Sequence, residues 1–457
     1  MKNDLTQGDV FKKLTMFAIP FLASNVIQSF YNVADMLIVG NFSGTASMSG
    51  VNIGGQVVFI LTNIVIGLSV GGTVLIGQYV GSHNDDSLRK VTATMLTLLP
   101  AAGIALTILT LVFKAPLLTL IKTPPESVVE TSRYLTVTII GLVFIFGYNA
   151  LSAILRGMGD SKNPFYFVLI ACVINVALDL LFVAVFKWAA FGAALATVIS
   201  QAFSMFLCIG YMISHQFHFD FKFSSFKIYR EQLALILKIG LPSSLSNSIV
   251  SISFLFITVL VNMAGGVHAS AAVGAAGKFN SFSFMPVVAI GASISAMSAQ
   301  NIGAGRWDRA TEACRIGIIV SFVFMAVFFS FVQIFPAQII AIFGNDPDMI
   351  AYGVKYLRWF SFDYLVVPFV FCFGGLLTGA GHTFFTLITH MLSSILLRVP
   401  LCWFFGVTLQ WGLTGIGLGI PVASTGTVLI TIGFLISGKW KKNVVKHIYY
   451  EETAVDA

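Results

Sequence analysis

Long apolar runs alternate with short polar segments along the whole chain. About twelve runs are long enough to cross a bilayer, because a transmembrane helix needs roughly 20 mostly apolar residues. They cover residues 14–40, 51–80, 91–113, 132–155, 165–186, 192–214, 233–262, 279–301, 316–335, 357–378, 384–405 and 415–437. The pattern predicts an all-α integral membrane protein with about 12 transmembrane helices and no separate soluble domain.

The chain also repeats itself. Pairs of identical residues recur at a constant spacing of 222 positions: Pro20 and Pro242, Asn25 and Asn247, Gln78 and Gln300, Gly81 and Gly303, Asp86 and Asp308, Gly157 and Gly379, Gly159 and Gly381. Constant spacing in three distant regions indicates an internal repeat. Each copy holds six spans, so both copies enter the membrane in the same direction, as in transporters built from two lobes related by a parallel repeat.

The repeat sets the predicted domains. We predict an amino-terminal lobe over residues 1–214 with spans one to six, and a cytoplasmic linker over residues 215–232. A carboxy-terminal lobe with spans seven to twelve and a basic cytoplasmic tail then occupies residues 233–457.

Composition and charge agree with a membrane protein. Hydrophobic residues make up 57% of the chain and charged residues only 10%, whereas soluble domains carry about 25% charged residues. The net charge of +7 is spread over short loops, so it predicts membrane orientation and no nucleic-acid partner. With a cytoplasmic amino terminus, 18 of the 26 Lys and Arg residues face the cytoplasm and 7 face outward, while Arg398 lies inside a span. This bias predicts a plasma-membrane protein with both termini in the cytoplasm.

One carboxylate, Asp35, lies inside the first apolar run. An ionisable group there costs roughly 2.5 to 3.5 kcal/mol on insertion scales, so it is a functional candidate. In the fifth span, Asn175 and Asp179 are four residues apart and project from one helical face. Thr197 adds a hydroxyl in the sixth span. We expect these groups at a similar depth in the outer half of the membrane.

The second copy of the repeat lacks this polar set. With the spacing of 222, Asp35 corresponds to Ile257, Asn175 to Leu397 and Asp179 to Leu401. A general feature of the scaffold would recur in both copies, so the asymmetry favours a functional site. Two carboxylates in a low-dielectric pocket repel each other and could share a proton. Alternatively, their oxygens, with Asn175 and Thr197, could surround a dehydrated cation such as Na⁺.

Other candidates lie in the second copy. Asp363 in the tenth span and Arg398 in the eleventh carry opposite charges, and we interpret them as a structural ion pair. Phe282, Phe284 and Met285 in the SFSFMP segment could line an adaptable substrate cavity. The chain has no GxxxxGK[ST] phosphate loop, so ATP hydrolysis is not expected, and we predict no cofactor besides the coupling ion.

Taken together, these motifs resemble those of the multidrug and toxic compound extrusion (MATE) transporters, and within them the DinF-like branch. The similar features are Pro20 with Asp35 fifteen residues on, Tyr31 one turn before Asp35, Asn175 with Asp179, Thr197, the AQNIGAGR segment ending at Arg306, and the LRGMGD segment at Leu155 to Asp160. The resemblance covers nearly the whole chain.

This resemblance implies two six-helix lobes, alternating access, and export of amphiphilic, often cationic, compounds against inward H⁺ or Na⁺. It also implies a cation site in the amino-terminal lobe, formed by Asp35, Asn175, Asp179 and Thr197, with Tyr31 beside it. Pro20 would be the bend in the first span. We expect a monomer that acts on small molecules within the bilayer.

Two other functions remain open. A lipid-linked saccharide flippase of the same superfamily would have more spans and basic residues along its cavity, and here only Arg398 is clearly intramembrane. An intramembrane enzyme could use Asp35 and Asp179 as an aspartyl dyad, but the two-lobe repeat is typical of a transporter. The prediction is therefore a secondary transporter and not an enzyme.

Overall fold

The computed structural model describes residues 4–215, 217, 219–442 and 445 of the 457-residue chain. Most of the predicted basic tail lies outside these residues. The chain folds into two compact units: the first contains Ile19–Ser244, and the second contains Leu5–Ala18 together with the chain from Leu245 onward.

The first unit is built from long helices joined by shorter ones. They are α1 (Val10–Gly81, in this unit from Ile19), α2 (Asp85–Val112), α3 (Lys114–Leu120), α4 (Val128–Ile140), α5 (Leu142–Gly157), α6 (Lys162–Asp179) with a π-helical continuation (Leu180–Val185), α7 (Ala189–Ser214) and a 3₁₀ turn (Phe223–Ser225). The long helix α1 is broken at Gly44, whose φ of 79° lies in the left-handed region that favours glycine. Helices α4 and α5 meet at 46° and are together long and apolar enough to form one bent span.

The second unit repeats this order. Its helices are α8 (Arg230–Gly303, in this unit from Leu245), α9 (Trp307–Ile334), α10 (Pro336–Ala341), α11 (Pro347–Phe360), α12 (Asp363–Gly379), α13 (Thr383–Met391), a π-helical segment (Leu392–Arg398), α14 (Val399–Trp403), a second π-helical segment (Phe404–Thr408), α15 (Gly412–Ile436) and a 3₁₀ turn (Lys439–Lys441). The long helix α8 is broken at Gly265 and Gly266. Helices α11 and α12 meet at 49°.

The helices give the predicted number of spans. Among the described residues, eight helices are long and apolar enough to cross a membrane, or ten when each bent pair counts as one span. The longest two of these, α1 with 72 residues and α8 with 74, each join two helices across a glycine break. Counting each of them twice gives twelve spans, which confirms the predicted all-α membrane fold.

Helix boundaries also follow the internal repeat. Helix α2 (Asp85–Val112) and helix α9 (Trp307–Ile334) are each 28 residues long and are offset by the same 222 positions at both ends. The breaks at Gly44 and Gly266 are likewise 222 residues apart, and both glycines have positive φ, 79° and 57°. Because a positive φ is costly for other residues, the sequence keeps glycine at both tight turns.

The beginning of α1 packs in the second unit. Leu5 donates its backbone N–H to Oε1 of Gln300 at 3.1 Å, and Arg309 donates to the carbonyl of Gly8 at 2.7 Å. The apolar side chains of this segment are buried with those of α8 and α9. The chain passes into the first unit between Ala18 and Ile19, immediately before Pro20.

In the same way, the beginning of α8, which corresponds to the beginning of α1 in the repeat, packs in the first unit. The hydroxyl of Tyr79 donates to Oε1 of Gln232 at 3.1 Å, and the N–H of Tyr229 donates to Oγ1 of Thr94 at 3.1 Å. The described part of the predicted linker, 215–232, and the start of α8 therefore belong to the first unit, which ends at Ser244. The chain thus changes units two residues before Pro20 and two residues after Pro242.

Candidate functional site

The polar residues predicted from the asymmetry of the repeat lie on three helices of the first unit. Asp35 is on α1, Asn175 and Asp179 are on the last turn and a half of α6, and Thr197 is on α7. Relative exposure is 7% for Asp35, 2% for Asn175 and 0% for Asp179. The two carboxylates are thus withdrawn from the surface of the unit, as a site for a small cation or proton requires.

Asn175 connects Asp179 with α7. In the amide orientation that satisfies both neighbours, its nitrogen donates to Oδ2 of Asp179 at 3.2 Å and its oxygen accepts from the backbone N–H of Thr197 at 3.3 Å. The hydroxyl of Thr197 donates to the carbonyl of Ala193 at 3.1 Å. Three of the four predicted polar residues therefore form one connected group.

The carboxylates are incompletely satisfied. Among the described residues, Oδ1 of Asp35 and Oδ1 of Asp179 are buried and have no hydrogen-bond partner. The two groups are also close enough for the charge of Asp35 to act on Asp179. Burying an unpaired charge is costly, and a second like charge adds repulsion. The pair therefore favours a positive charge, which either a proton or a metal cation supplies.

Two tyrosines adjoin the carboxylates. Tyr31, one turn before Asp35 on α1, is half-buried and lies within electrostatic reach of both Asp35 and Asp179. Tyr134 on α4 is 7% exposed and interacts with the same carboxylates. Sequence reasoning did not find Tyr134, because the repeat carries a tyrosine at both equivalent positions, 134 and 356.

Close packing holds Tyr134 in place. A Cβ on Gly54 would lie 2.5 Å from a ring carbon of Tyr134, so glycine is needed opposite the ring. Tyr134 belongs to an apolar cluster with Ile38, Val39 and Val183. The carboxylate of Asp35 is therefore next to a rigid, close-packed aromatic ring.

A narrow pocket opens beside the carboxylates within the first unit, with room for about one water molecule. It is lined by Gln28, Tyr31, Tyr148, Val168, Ala171, Cys172, Asn175, Thr197, Ser200, Gln201 and Ser204. Tyr31, Asn175 and Thr197 belong both to this wall and to the surroundings of the carboxylates. The pocket offers hydroxyl and amide groups together with apolar surface.

In the second unit, the predicted pair of charges lies inside the protein. Asp363 at the start of α12 is 4% exposed and Arg398 is 9% exposed. The two are close enough for the positive charge of Arg398 to act electrostatically on the carboxylate of Asp363. Within the described ranges, however, Oδ1 of Asp363 and both Nε and Nη1 of Arg398 have no hydrogen-bond partner. The geometry is therefore that of two neighbouring charges without a direct hydrogen-bonded ion pair.

The three predicted cavity residues of the second unit, Phe282, Phe284 and Met285, lie in different environments. The ring of Phe284 packs edge-on against Tyr364 with 5.5 Å between centroids, and it borders the apolar core of the unit. Met285 is half-buried, whereas Phe282 is 48% exposed. Phe284 thus contributes to the core of this unit, and the three side chains do not share one environment.

Comparison with known proteins identifies the family. The family model described as MatE matches residues 20–181 and again residues 242–404. The two matches begin at Pro20 and Pro242, and each falls within one copy of the internal repeat. Together they cover well over half of the chain.

Individual relatives agree along nearly the full length. The chain is 30% identical over 442 residues to the "Probable multidrug resistance protein YpnP" of Bacillus subtilis (strain 168), covering 96% of this chain and 97% of the relative. It is 27% identical to the "Probable multidrug resistance protein NorM" of Thermotoga maritima, covering 96% and 94%. It is 24% identical to a "FAD transporter" of Shewanella oneidensis, covering 93% and 94%.

Solved structures share the fold. A MOP superfamily transporter from Pyrococcus furiosus, described as having a binding pocket of reverse polarity, matches with a TM-score of 0.90 at 23% identity, covering 97% of this chain and 99% of that one. A multidrug resistance MATE family transporter in an outward-facing conformation matches with the same TM-score, identity and coverage. With two matches to the family model and relatives of this similarity over nearly the whole chain, this multi-pass membrane protein belongs to the MATE family and is a transporter of small molecules rather than an enzyme.

Proposed function

We propose that the protein exports amphiphilic, often cationic, organic compounds in exchange for inward movement of H⁺ or Na⁺. The observation that carries this proposal is the pair of buried carboxylates, Asp35 and Asp179, each with an unpartnered oxygen beside a pocket lined by polar and apolar side chains. Relatives named as multidrug resistance and multidrug export proteins support the same function.

In the proposed cycle, the carboxylates take up a positive charge from outside and release it to the cytoplasm. Neutralising Asp35 and Asp179 removes their mutual repulsion, so the helices that carry them can move together. Asn175 bonds to Asp179, Tyr31 lies within electrostatic reach of both carboxylates, and both residues line the pocket, so they would transmit this change to bound substrate. Each charge that crosses the membrane contributes roughly 2.3 kcal/mol per 100 mV, which can drive export against a gradient.

The amide and hydroxyl groups beside the carboxylates are compatible with either H⁺ or Na⁺ as the coupling ion. A carboxylate pair alone can carry a proton, whereas Na⁺ needs several oxygen ligands, which Asn175 and Thr197 could complete. Pro20 would serve as the bend of the first span, since it lies where the chain passes from one unit to the other. We propose that both termini lie in the cytoplasm, on the distribution of Lys and Arg, and that the protein acts as a monomer in the plasma membrane.

The proposal is tested with purified protein in liposomes. Efflux or uptake of ethidium is followed by fluorescence under a pH gradient, under a sodium gradient, and without either. Wild type should transport only when one gradient is present, and Asp35→Asn and Asp179→Asn should fall to the rate of empty liposomes. Asp363→Asn is the matched control, because it removes a buried carboxylate from the second unit and should retain most of the rate.

Two results would contradict the proposal. Wild-type transport rates in Asp35→Asn or Asp179→Asn would remove the carboxylates from the coupling site. Equal wild-type transport with and without either gradient would exclude the exchange mechanism.

A further inference from the structure

Arg398 is a buried cation with free donors. It is 9% exposed in the second unit, and its Nε and Nη1 have no hydrogen-bond partner in the described part of the chain. A guanidinium has five N–H donors in a planar fork and cannot lose its charge in a protein. Buried donors of this kind are normally paired, so the fork is available to a ligand.

The neighbours of Arg398 leave two nitrogens of the fork, Nε and Nη1, without a hydrogen-bond partner among the described residues. The guanidinium carbon lies 5.1 Å from the centroid of the Phe254 ring, so this aromatic ring covers one face of the group. Stacking on a face does not use the N–H donors along the edge. Asp363, the nearby carboxylate, leaves its own Oδ1 unpartnered. The structure therefore holds Arg398 in place without satisfying it.

The backbone at this position is particular to the second unit. Residues Leu392–Arg398 form a π-helical segment that ends at Arg398. The equivalent residues of the first unit, 170–176, are α-helical within α6 (Lys162–Asp179). By contrast, the π-helical segment Phe404–Thr408 does have a counterpart in the first unit, at Leu180–Val185. Such local widening of an α-helix often marks a functional site.

We propose that Arg398 binds an oxyanion, the carboxylate or phosphate group of an exported amphiphile. A guanidinium fork binds such a group by donating two parallel N–H···O bonds to its oxygens. This assignment rests on the proposed export function and specifies part of its substrate class. The carboxylates of the first unit would take the coupling cation, while the second unit would take the anionic group of zwitterionic or acidic substrates.

Two dyes that differ at one group test the site. Rhodamine B carries a free carboxylate, and its ethyl ester does not. Binding of each to the purified full-length protein in neutral detergent is measured by fluorescence anisotropy. We expect Arg398→Gln to weaken rhodamine B binding at least tenfold, and to change binding of the ester by less than twofold. Arg398→Lys, which keeps the charge but loses the fork, should weaken rhodamine B less.

The matched control is the same substitution at an exposed arginine. Arg358 is exposed at the end of α11 in the same unit, and Arg358→Gln should leave the binding of both dyes unchanged. Each variant is first compared with wild type in melting temperature. A loss in Arg398→Gln that is equal for the two dyes would show a structural role and overturn the proposal, as would unchanged binding of rhodamine B.

Two further measurements distinguish an exported substrate from a lipid headgroup, and the oxyanion site from the export function. If added phosphatidylglycerol displaces rhodamine B from wild type, a lipid headgroup occupies the site, and the assignment to an exported substrate is overturned. The assay needs no gradient, so it is independent of coupling. A wild type that binds rhodamine B through Arg398 but transports no dye in liposomes would contradict the export function and leave the oxyanion site intact.

Discussion

Position 35 in the first unit and position 257 in the second occupy the same place in the repeat. One holds a buried aspartate and the other a buried isoleucine, with exposures of 7% and 1%. The isoleucine is part of the apolar core of its unit, whereas the aspartate has an unpartnered oxygen. The same helix position is therefore occupied by a packed apolar side chain in one copy and by a buried carboxylate in the other.

The eleventh span shows the opposite replacement. Arg398 of the second unit corresponds to Val176 of the first, the residue directly after Asn175. Helix boundaries and glycine turns are nevertheless kept at the spacing of 222 residues. The scaffold is thus common to both units, while the second copy has a buried cation, Arg398, next to the position that corresponds to Asn175 of the first.

Transferring the carboxylate to the second unit should have the largest effect on stability. Ile257→Asp places a charge in an apolar core that offers no equivalent of Asn175, because that position is Leu397. We expect a loss of about 3 kcal/mol or more, with a lower melting temperature and poor yield in the membrane.

Ile257→Val is the control for this change, since it removes only a methyl group and should cost about 0.5 to 1.5 kcal/mol. Melting temperatures of the two purified variants are compared by static light scattering during heating. If Ile257→Asp were as stable as Ile257→Val, the second unit would already accommodate a carboxylate, and the contrast between the units would not hold.

A smaller effect is expected at the tyrosine common to both units. Gly54 lies opposite Tyr134 in the first unit, and with the spacing of 222 these positions correspond to Ala276 and Tyr356 in the second. A Cβ on Gly54 would come within 2.5 Å of the Tyr134 ring, so Gly54→Ala should cost roughly 1 to 3 kcal/mol through overpacking. Since Tyr134 adjoins Asp35, gradient-driven transport should fall as well.

The reverse substitution, Ala276→Gly, tests whether the equivalent position has the same role in the second unit. Ala276 is fully buried in the second unit, and Ala276→Gly should cost roughly 1 kcal/mol of helix stability without loss of transport. Thermal melting and liposome transport are measured for both variants. Equal loss of transport in Gly54→Ala and Ala276→Gly would indicate that the tyrosine environment has the same role in both units.

The sequence was sufficient for the spans, the repeat and the buried carboxylates. Apolar runs and constant spacing determine these features, and the loss of Asp35 and Asp179 from the second copy distinguishes them from the scaffold. Tyr134 was missed because it is retained in both copies, so a comparison of the copies could not single it out. The packing of Leu5–Ala18 in the second unit was missed too, since spacing along the chain does not determine which unit a segment joins.

The smallest expected effect concerns the two prolines. Pro20 and Pro242 are 222 residues apart and lie within two residues of the points where the chain changes units. A proline inside a helix lacks the N–H donor and bends the helix. Pro20→Ala and Pro242→Ala should therefore each raise the melting temperature.

If bending at these points is required for the transport cycle, both proline variants should also lose transport, by about the same few-fold factor. The reason is that the bend belongs to the common scaffold, whereas the carboxylates belong to the first unit alone. Rates under a gradient are compared with melting temperatures for the two variants and for Pro100→Ala, a proline inside α2 and away from both points. A loss of transport in Pro20→Ala without one in Pro242→Ala would instead tie the bend to Asp35, fifteen residues along the same helix, because only that unit couples bending to the binding of a positive charge.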